Sequence, residues 1–531
     1  MATVREAAFE LFRAHGMTTI FGNPGSTELP MLADFPADFR YVLGLQEAVA
    51  VGMADGYAQA SGRVAHVNLH TAPGVGNAMG AIFNAQANHS PLLVTAGQQV
   101  RAQITMQANL TNRDAIRVPH PFVKWSYEVP RAEDVPLALA RGIHTAAQAP
   151  RGPVFVSVPM DDWAAEADEG AAHALARRVS GVGPPPAEAL EALAGRLAAA
   201  RNPVLVAGPD IDAAGAWDDA VALAELQRLP VWASPAPGGG RIGFPEGHPN
   251  FRGVLPPAIG PLAQTLEGHD LILVAGSSVF PYYPYIPGPL LPEGAELVFI
   301  TSDPDEAARA PVGEAVVGDV AAALRGLVER LDEAERELPE PLPEPSAIEG
   351  SDPMPATNAL NALREVFPED GIAVMEAPSA TLALRNQLRL SRPGSYYFGA
   401  GGGLGFGLAA AVGVQLAQPE RPVVCVVGEG SAQYAVTAFW TAAAYRVPLT
   451  VLVLRNSEYA ILKWFAEAEQ VSGAPGLDLP ELDTAAVAAA YGVSSRRVED
   501  RDELREALAA AIASSAPELV QVPVAPGMSL F

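Results

Sequence analysis

The residues best placed for chemistry lie in Val423-Val424-Cys425-Val426-Val427-Gly428-Glu429-Gly430-Ser431, an apolar run that delivers a glycine-bracketed carboxylate and a hydroxyl. A second apolar run, Leu449 to Leu454, delivers Arg455-Asn456-Ser457-Glu458, with twenty-six residues between Glu429 and Asn456. If the two runs are neighbouring parallel strands, their C-terminal ends share one edge, where ligand loops of open α/β sheets lie. The Glu429 carboxylate, the Asn456 amide oxygen and a backbone carbonyl, that of Glu458, are hard oxygen donors suited to magnesium or calcium. Such an ion would neutralise a diphosphate, whose remaining oxygens could take backbone N–H donors at the following helix start. Gly428 and Gly430 are expected to let the backbone approach closely. Taken singly, Gly-Glu-Gly is a tight turn and Asn456 a cap; their paired placement is what points to an ion.

Positioning these groups requires strands at Val423–Val427 and Leu449–Leu454 with a helix, Ala432 to Tyr445, between them. The same alternation runs through the whole chain. Short β-rich runs at Ala65–Leu69, Leu92–Thr95 and Val154–Val158 are separated by Ala-rich helical stretches, as are Val204–Gly208, Val231–Ala233, Leu271–Ala275 and Leu297–Ile300. That is the pattern of parallel sheets with crossover helices, an α/β class with doubly wound sheets. Three prolines at Pro184–Pro186 and the Pro/Glu/Ser stretch Leu338 to Pro355 mark boundaries. Three domains are expected, at 1–165, 187–335 and 356–531. No sequence repeat is visible.

Composition narrows the classes of function. Sixty acidic against thirty-four basic residues give a net charge of −26, which would repel a phosphate backbone and an anionic membrane alike. The single cysteine, Cys425, lies in an apolar run and reads as a buried small hydrophobe, as expected in a reducing compartment. The acidic amphipathic start has no signal-peptide character, and no apolar stretch is long enough to span a bilayer. A cytoplasmic location is expected, with neither nucleic acid nor membrane as partner.

Further motifs extend the reading: FGNPGSTELP at Phe21–Pro30, LQEAVAVGMADGYAQASG at Leu45–Gly62, NLHTAPGVGNAMG at Asn68–Gly80, then GPD, EGHD, RPGSYYF and GGLGF. Together with the Gly-Glu-Gly…Asn arrangement, they resemble the thiamine-diphosphate-dependent 2-oxo acid decarboxylases, in particular the benzoylformate decarboxylases, over nearly the whole chain. The resemblance implies three domains: a pyrimidine-binding domain, a Rossmann-like middle domain and a diphosphate-binding domain. It implies thiamine diphosphate with Mg2+ or Ca2+, and a small 2-oxo acid that loses carbon dioxide and leaves as an aldehyde. It also implies a homodimer with shared active sites, assembled further into a homotetramer.

Residue by residue, the resemblance gives Glu47 the hydrogen bond to the aminopyrimidine of a cofactor held by the partner chain. His70, ahead of a segment expected to be flexible (Thr71–Gly74), receives proton transfer at the substrate oxygen, and Ser26 receives the substrate carboxylate. Glu28, expected to be an exposed loop acid, is a weaker catalytic candidate. Tyr283 stands where the family carries a second catalytic histidine, a poorer proton shuttle at neutral pH. Leu404 matches the residue that props the cofactor, and Gly402 a backbone carbonyl facing its amino group. Further cofactor-binding positions are Asn23, Pro24, Gly25, Pro378, Ser379, Gly428, Gly430, Ser431, Tyr459, Ala460 and Ile461. The substrate pocket comprises Asn109, Leu110, Pro378, Phe398, Ile461, Leu462 and Phe465.

The sequence departs from the family pattern at several of these points. Glu429 replaces an aspartate, lengthening the arm by roughly 1.5 Å, one carbon–carbon bond. Arg455 stands where relatives often carry asparagine. Asn109 and Ile461 replace a leucine and an alanine, so one wall is more polar and another narrower, which favours straight-chain aliphatic 2-oxo acids. Three other readings compete. A nicotinamide dehydrogenase is disfavoured because Gly74–Gly80 is one residue too long for the dinucleotide spacing. A carboligase resembling acetolactate synthase would use the same cofactor, and a non-catalytic family member is the third.

Overall fold

A computed structural model of the chain describes residues 2–235 and 240–528. Among the described residues, eighteen strands form three six-stranded sheets in which every strand pairing is parallel. The first sheet holds β1 (Thr19–Asn23), β2 (Arg40–Leu43), β3 (Ala65–Leu69), β4 (Leu92–Gln98), β5 (Ser126–Glu128) and β6 (Val154–Pro159). The second holds β7 (Pro203–Ala207), β8 (Val231–Ala233), β9 (Phe251–Val254), β10 (Leu271–Ala275), β11 (Glu296–Thr301) and β12 (Glu314–Val317). The third holds β13 (Ile372–Glu376), β14 (Tyr396–Phe398), β15 (Val423–Gly428), β16 (Leu449–Arg455), β17 (Ser494–Arg497) and β18 (Glu518–Pro523).

The central strands β3, β4, β7, β10 and β13 are buried along their whole length; β7 and β10 accordingly read as continuous apolar runs, while β3, β4 and β13 bury polar side chains such as His66, Asn68, Thr95 and Glu376. Counting strands within each sheet, the first and third share one order, 2-1-3-4-6-5, while the second runs 3-2-1-4-5-6. The latter is the order of dinucleotide-binding folds. The common topology of the flanking sheets carries no sequence repeat, because it is fixed by burial pattern and connection handedness and not by residue identity. The stretch expected to be a linker has no regular structure over residues 332–351, yet it is pinned: Arg389 donates to Pro343 O at 2.5 Å, and Arg252 to Pro339 O at 2.8 Å.

The first and third domains dock through two helices, Glu47–Ser61 and Gly407–Ala417, both buried on nearly every face. Glycine permits the approach. A Cβ on Gly56 would lie 2.2 Å from Ala410 O, and one on Gly413 would lie 1.8 Å from Met53 O. Gly413→Ala is therefore expected to lose about 1–3 kcal/mol through overpacking. Gly195→Ala, in the exposed interior of the Ala187–Ala199 helix where an added Cβ meets nothing within 4 Å, is the control and should gain about 0.5–1 kcal/mol. Thermal denaturation of the two variants checks this; equal midpoints would contradict it.

Candidate active site

The acid and amide singled out above emerge side by side. β15 and β16 are neighbours with Gly428 in register with Leu454, so Glu429 and Asn456 follow at one sheet edge. Glu429 is 2% exposed, and its Oε1 accepts the Ser457 N–H at 2.5 Å. The extra methylene lets this carboxylate reach across to the neighbouring strand's loop. Burial pushes its pKa up, opposed by N–H donors including Ser457 and by the charge of Arg455. Asn456 Oδ1 accepts from Glu458 N–H at 3.2 Å, an Asx turn in which Ser457 has φ 61°. The Glu458 side chain is committed to Lys463 at 2.5 Å and to the Gly527 N–H at 2.7 Å, so an ion would meet its backbone carbonyl. A buried carboxylate, an amide oxygen and a carbonyl thus stand at one sheet edge, donor types that fit Mg2+ or Ca2+.

Two local expectations change. The helix expected from Ala432 to Tyr445 begins at Glu429 and is broken into Glu429–Ala432, a 3₁₀ turn at Gln433–Ala435, and Ala438–Ala444. The β-branched pair Val436–Thr437 lies at the break, where the α-helical ladder is least favoured. Gly430 is required by packing: a Cβ there would meet Tyr459 at 2.7 Å and Leu479 at 2.8 Å. Ser431 is buried beside it, and Tyr459 precedes the helix that starts at the buried Ala460.

A second feature is a largely apolar cavity of about 170 Å³ between the middle and third domains. Pro378, Phe398, Gly402, Leu404, Ile461 and Phe465 line it, as expected, with Tyr283 and Pro257 from the middle domain. The Tyr283 and Phe465 rings lie 4.9 Å apart, and Tyr283 stays 60% exposed. Gly402 is needed for its φ of 72°, not for crowding, since a Cβ there would meet nothing within 4 Å. The cavity also exposes a residue that sequence reasoning missed: Glu376, the last residue of β13. Its Oε1 accepts the Gly405 and Phe406 N–H groups, each at 2.8 Å, while Oε2 has no partner. Burial pushes this carboxyl up to about 8, against the lowering effect of those N–H donors. An acid ending an apolar strand was the available signal.

The third feature belongs to the first domain. His70 caps the Thr71–Asn77 helix, so the segment expected to be flexible is helical; Pro73 falls in the first turn, where its missing N–H is no loss. Glu28, expected to be exposed, is 1% exposed. Its Oε2 lies 2.8 Å from His70 Nδ1 and accepts the Gly25 N–H at 2.8 Å, while its Oε1 accepts from Thr27 Oγ1 at 2.7 Å and Gly97 N at 2.8 Å. The turn after β1 folds inward because these donors satisfy the carboxylate. Glycine is required at position 25, since a Cβ would sit 2.1 Å from His70 Nδ1. With Nδ1–H donated to Glu28, Nε2 is the ring atom that can exchange a proton with a ligand. Glu47 starts its helix as expected, and its two oxygens accept from Asn23 Nδ2 at 3.3 Å and Asn77 Nδ2 at 3.1 Å. Asn23 thus orients the acid, and Asn77 is a second residue missed from sequence.

Some expected neighbours are not brought together within one chain. Among the described residues, those lining the 170 Å³ cavity come only from the middle and third domains. Ser26, Glu28, Glu47 and His70 do not reach it, nor do Pro24, Asn109 and Leu110; Ser26 and Asn109 are exposed. Ser379 and Leu462 flank the cavity without lining it, and Leu462 points outward at 46% exposure. A larger cleft of about 670 Å³ between the first and middle domains contains none of the expected site residues.

Comparison with known proteins agrees with this layout domain by domain. Residues 2–116 match the N-terminal TPP binding domain of thiamine pyrophosphate enzymes, 190–327 their central domain, and 378–522 their C-terminal TPP binding domain. The chain is a thiamine pyrophosphate enzyme. Among its relatives is the benzoylformate decarboxylase of Pseudomonas aeruginosa, 52% identical over 98% of this chain and 99% of that protein. Solved structures of thiamine pyrophosphate enzymes superpose closely. The thiamine diphosphate-dependent 4-hydroxybenzoylformate decarboxylase of Rhodococcus jostii RHA1 matches with a TM-score of 0.97 and 46% identity, covering 100% of both chains. Benzoylformate decarboxylase from Polynucleobacter necessarius matches with a TM-score of 0.96 and 41% identity, again over 100% of each chain.

Glu376 gives this thiamine pyrophosphate enzyme a specific pH signature. A carboxyl raised from 4.5 to about 8 costs nothing while protonated and destabilises progressively as pH rises through that interval. Relative to Glu376→Gln, the natural protein is expected to lose on the order of a few kcal/mol over that range. Denaturation midpoints of both proteins across pH measure it; a pH-independent gap would contradict it.

Proposed function

We propose that the protein decarboxylates a 2-oxo acid without oxidation, releasing an aldehyde and carbon dioxide, with thiamine diphosphate as cofactor and Mg2+, or alternatively Ca2+, as its ion. One observation carries the reading: Glu429 and Asn456 follow neighbouring parallel strands at one sheet edge of a domain that also lines the Leu404 cavity. When bound, the cofactor supplies a nucleophilic carbon and an electron sink for the bond that releases carbon dioxide.

The chain's own residues do the rest. Glu429, Asn456 and the Glu458 carbonyl hold the ion, with Gly428, Gly430 and Ser431 beside the diphosphate. Pro378, Ser379, Tyr459, Ala460 and Ile461 flank the cofactor, Leu404 supports its bend, and the Gly402 carbonyl accepts from its amino group. Glu47 reaches the pyrimidine ring of the cofactor in the partner chain, held in place by Asn23 and Asn77. His70, oriented by Glu28, moves a proton at Nε2 to and from the substrate oxygen. Ser26 receives the substrate carboxylate, and the Tyr283 phenol donates a hydrogen bond from its place above Phe465. The apolar walls exclude water and receive the substrate's tail.

Because the first-domain acids and His70 do not line their own chain's cavity, the active site is complete only in a homodimer, and two dimers make the tetramer. None of the described helices is long and apolar enough to cross a membrane, and the acidic, cysteine-poor chain suits the cytoplasm. The test is a panel of 2-oxo acids with thiamine diphosphate, scored for aldehyde and carbon dioxide with and without a chelator. Turnover should need a divalent ion, and straight-chain aliphatic acids should match or exceed benzoylformate because Ile461 narrows the cavity. Strict preference for benzoylformate would refute the substrate assignment. No turnover of any member would refute decarboxylation in favour of carboligation or a non-catalytic role.

A further inference from the structure

The glycine-rich segment from Gly399 to Phe406 carries both Gly402 and Leu404, yet it has little to hold itself in shape. Gly402 and Gly405 sit at φ 72° and 103°, and neither has a side chain to anchor it. The grip comes from outside, on two sides. On one side Glu376 accepts from Gly405 and Phe406, as described above. On the other stands Asn84, on the Met79–Ala87 helix of the first domain. Its Nδ2 donates to Gly403 O at 2.8 Å, and its Oδ1 accepts the Gly403 N–H at 3.1 Å. One side-chain amide thereby pairs with both backbone groups of a single residue, as a neighbouring strand would. One turn further along, Asn88 Oδ1 accepts the Ala400 N–H at 2.9 Å, and its Nδ2 donates to the buried Asp55 at 2.9 Å.

Asn84 is 3% exposed, so its amide is held inside the fold against Gly403. The fit is close: a Cβ on Gly401 would come within 2.7 Å of Asn84 Oδ1, and one on Gly403 within 2.9 Å. Gly402 and Leu404 are the residues immediately either side of the one Asn84 holds. We infer that Asn84 is a positioning residue for the cofactor: across the domain boundary it fixes the Gly402 carbonyl and the Leu404 side chain that set the cofactor's bend. This rests on the roles given to Gly402 and Leu404 under the proposed function. The same domain that sends Glu47 toward the partner's cofactor thus shapes the cofactor bed of its own chain.

The test uses the full-length protein and three measurements on Asn84→Ala and Asn84→Asp, the second keeping the acceptor while turning a carboxylate oxygen toward the Gly403 carbonyl. Amide hydrogen exchange of the peptide spanning Gly399–Phe406, followed by mass spectrometry without cofactor, should quicken in both variants. Affinity for thiamine diphosphate with Mg2+, read by fluorescence quenching, should stay within about threefold, since the diphosphate end is untouched. Exchange of the bound cofactor's C2 proton with deuterium, read by quenched-flow NMR, should slow by roughly 10–100-fold, as misplacement near 1 Å can cost about that much. Asn84→Ser replaces the alanine variant if that one does not accumulate. C2 exchange within about twofold of the natural protein would overturn the inference, as would parallel loss of affinity and exchange, which marks a merely structural role. A natural protein that fails to bind thiamine diphosphate would instead overturn the proposed function.

Discussion

A carboxylate buried beyond the end of a parallel strand has to be answered by a cation, a proton or a set of N–H donors, because ionised oxygen cannot be left bare in an apolar setting. Four of this molecule's buried acids, at or beyond strand ends, resolve it differently. Glu28 is surrounded by two backbone N–H groups, a hydroxyl and the His70 ring. Glu47 takes two asparagine amides. Glu376 is held with two N–H groups on one oxygen and its pKa raised to about 8, so that it carries a proton at neutral pH. Glu429 has Ser457 N–H on one oxygen, and a divalent ion completes its neutralisation in the proposed site. Under the proposed function each solution would serve a different chemistry: orienting a base, meeting a heterocycle, bracing a loop and holding an ion.

The architecture explains why these acids can cooperate. The first and third sheets share the order 2-1-3-4-6-5, so each offers equivalent edges, and glycine-mediated docking of the Glu47–Ser61 and Gly407–Ala417 helices locks the two domains together. From that junction the first domain reaches its own third domain through Asn84. The middle domain adds Pro257 and Tyr283 to the wall of the cavity.

How much of this was legible depended on how local the determinants are. The shared edge of Glu429 and Asn456 could be read because two largely apolar runs at parallel-strand spacing suggest neighbouring strands, and a buried strand needs no distant partner to be recognised. The sheet class followed for the same reason. Glu28 looked like a solvated loop acid because its burial depends on His70, forty-two residues away, and on Gly97 in another strand. Glu376 was hidden as the polar end of an apolar strand, and Asn84 as one amide in a small-residue helix; both gain meaning from contacts with Gly403 to Phe406 across the fold. The shared topology of the flanking domains was invisible because backbone connectivity, unlike side-chain pattern, leaves no repeat in the sequence.

The central claim is that one catalytic centre is assembled from two chains, the ion site of one and Glu47 of the other. Subunit complementation tests it most directly: chains carrying Glu47→Gln are mixed and reassembled with chains carrying Asn456→Ala, each inactive alone. Heterodimers would then contain one fully natural centre, and activity should recover to roughly a quarter of the natural level, since half the dimers are mixed and each has one intact site of two. Reassembled mixtures that remain as inactive as the separate variants would contradict the account.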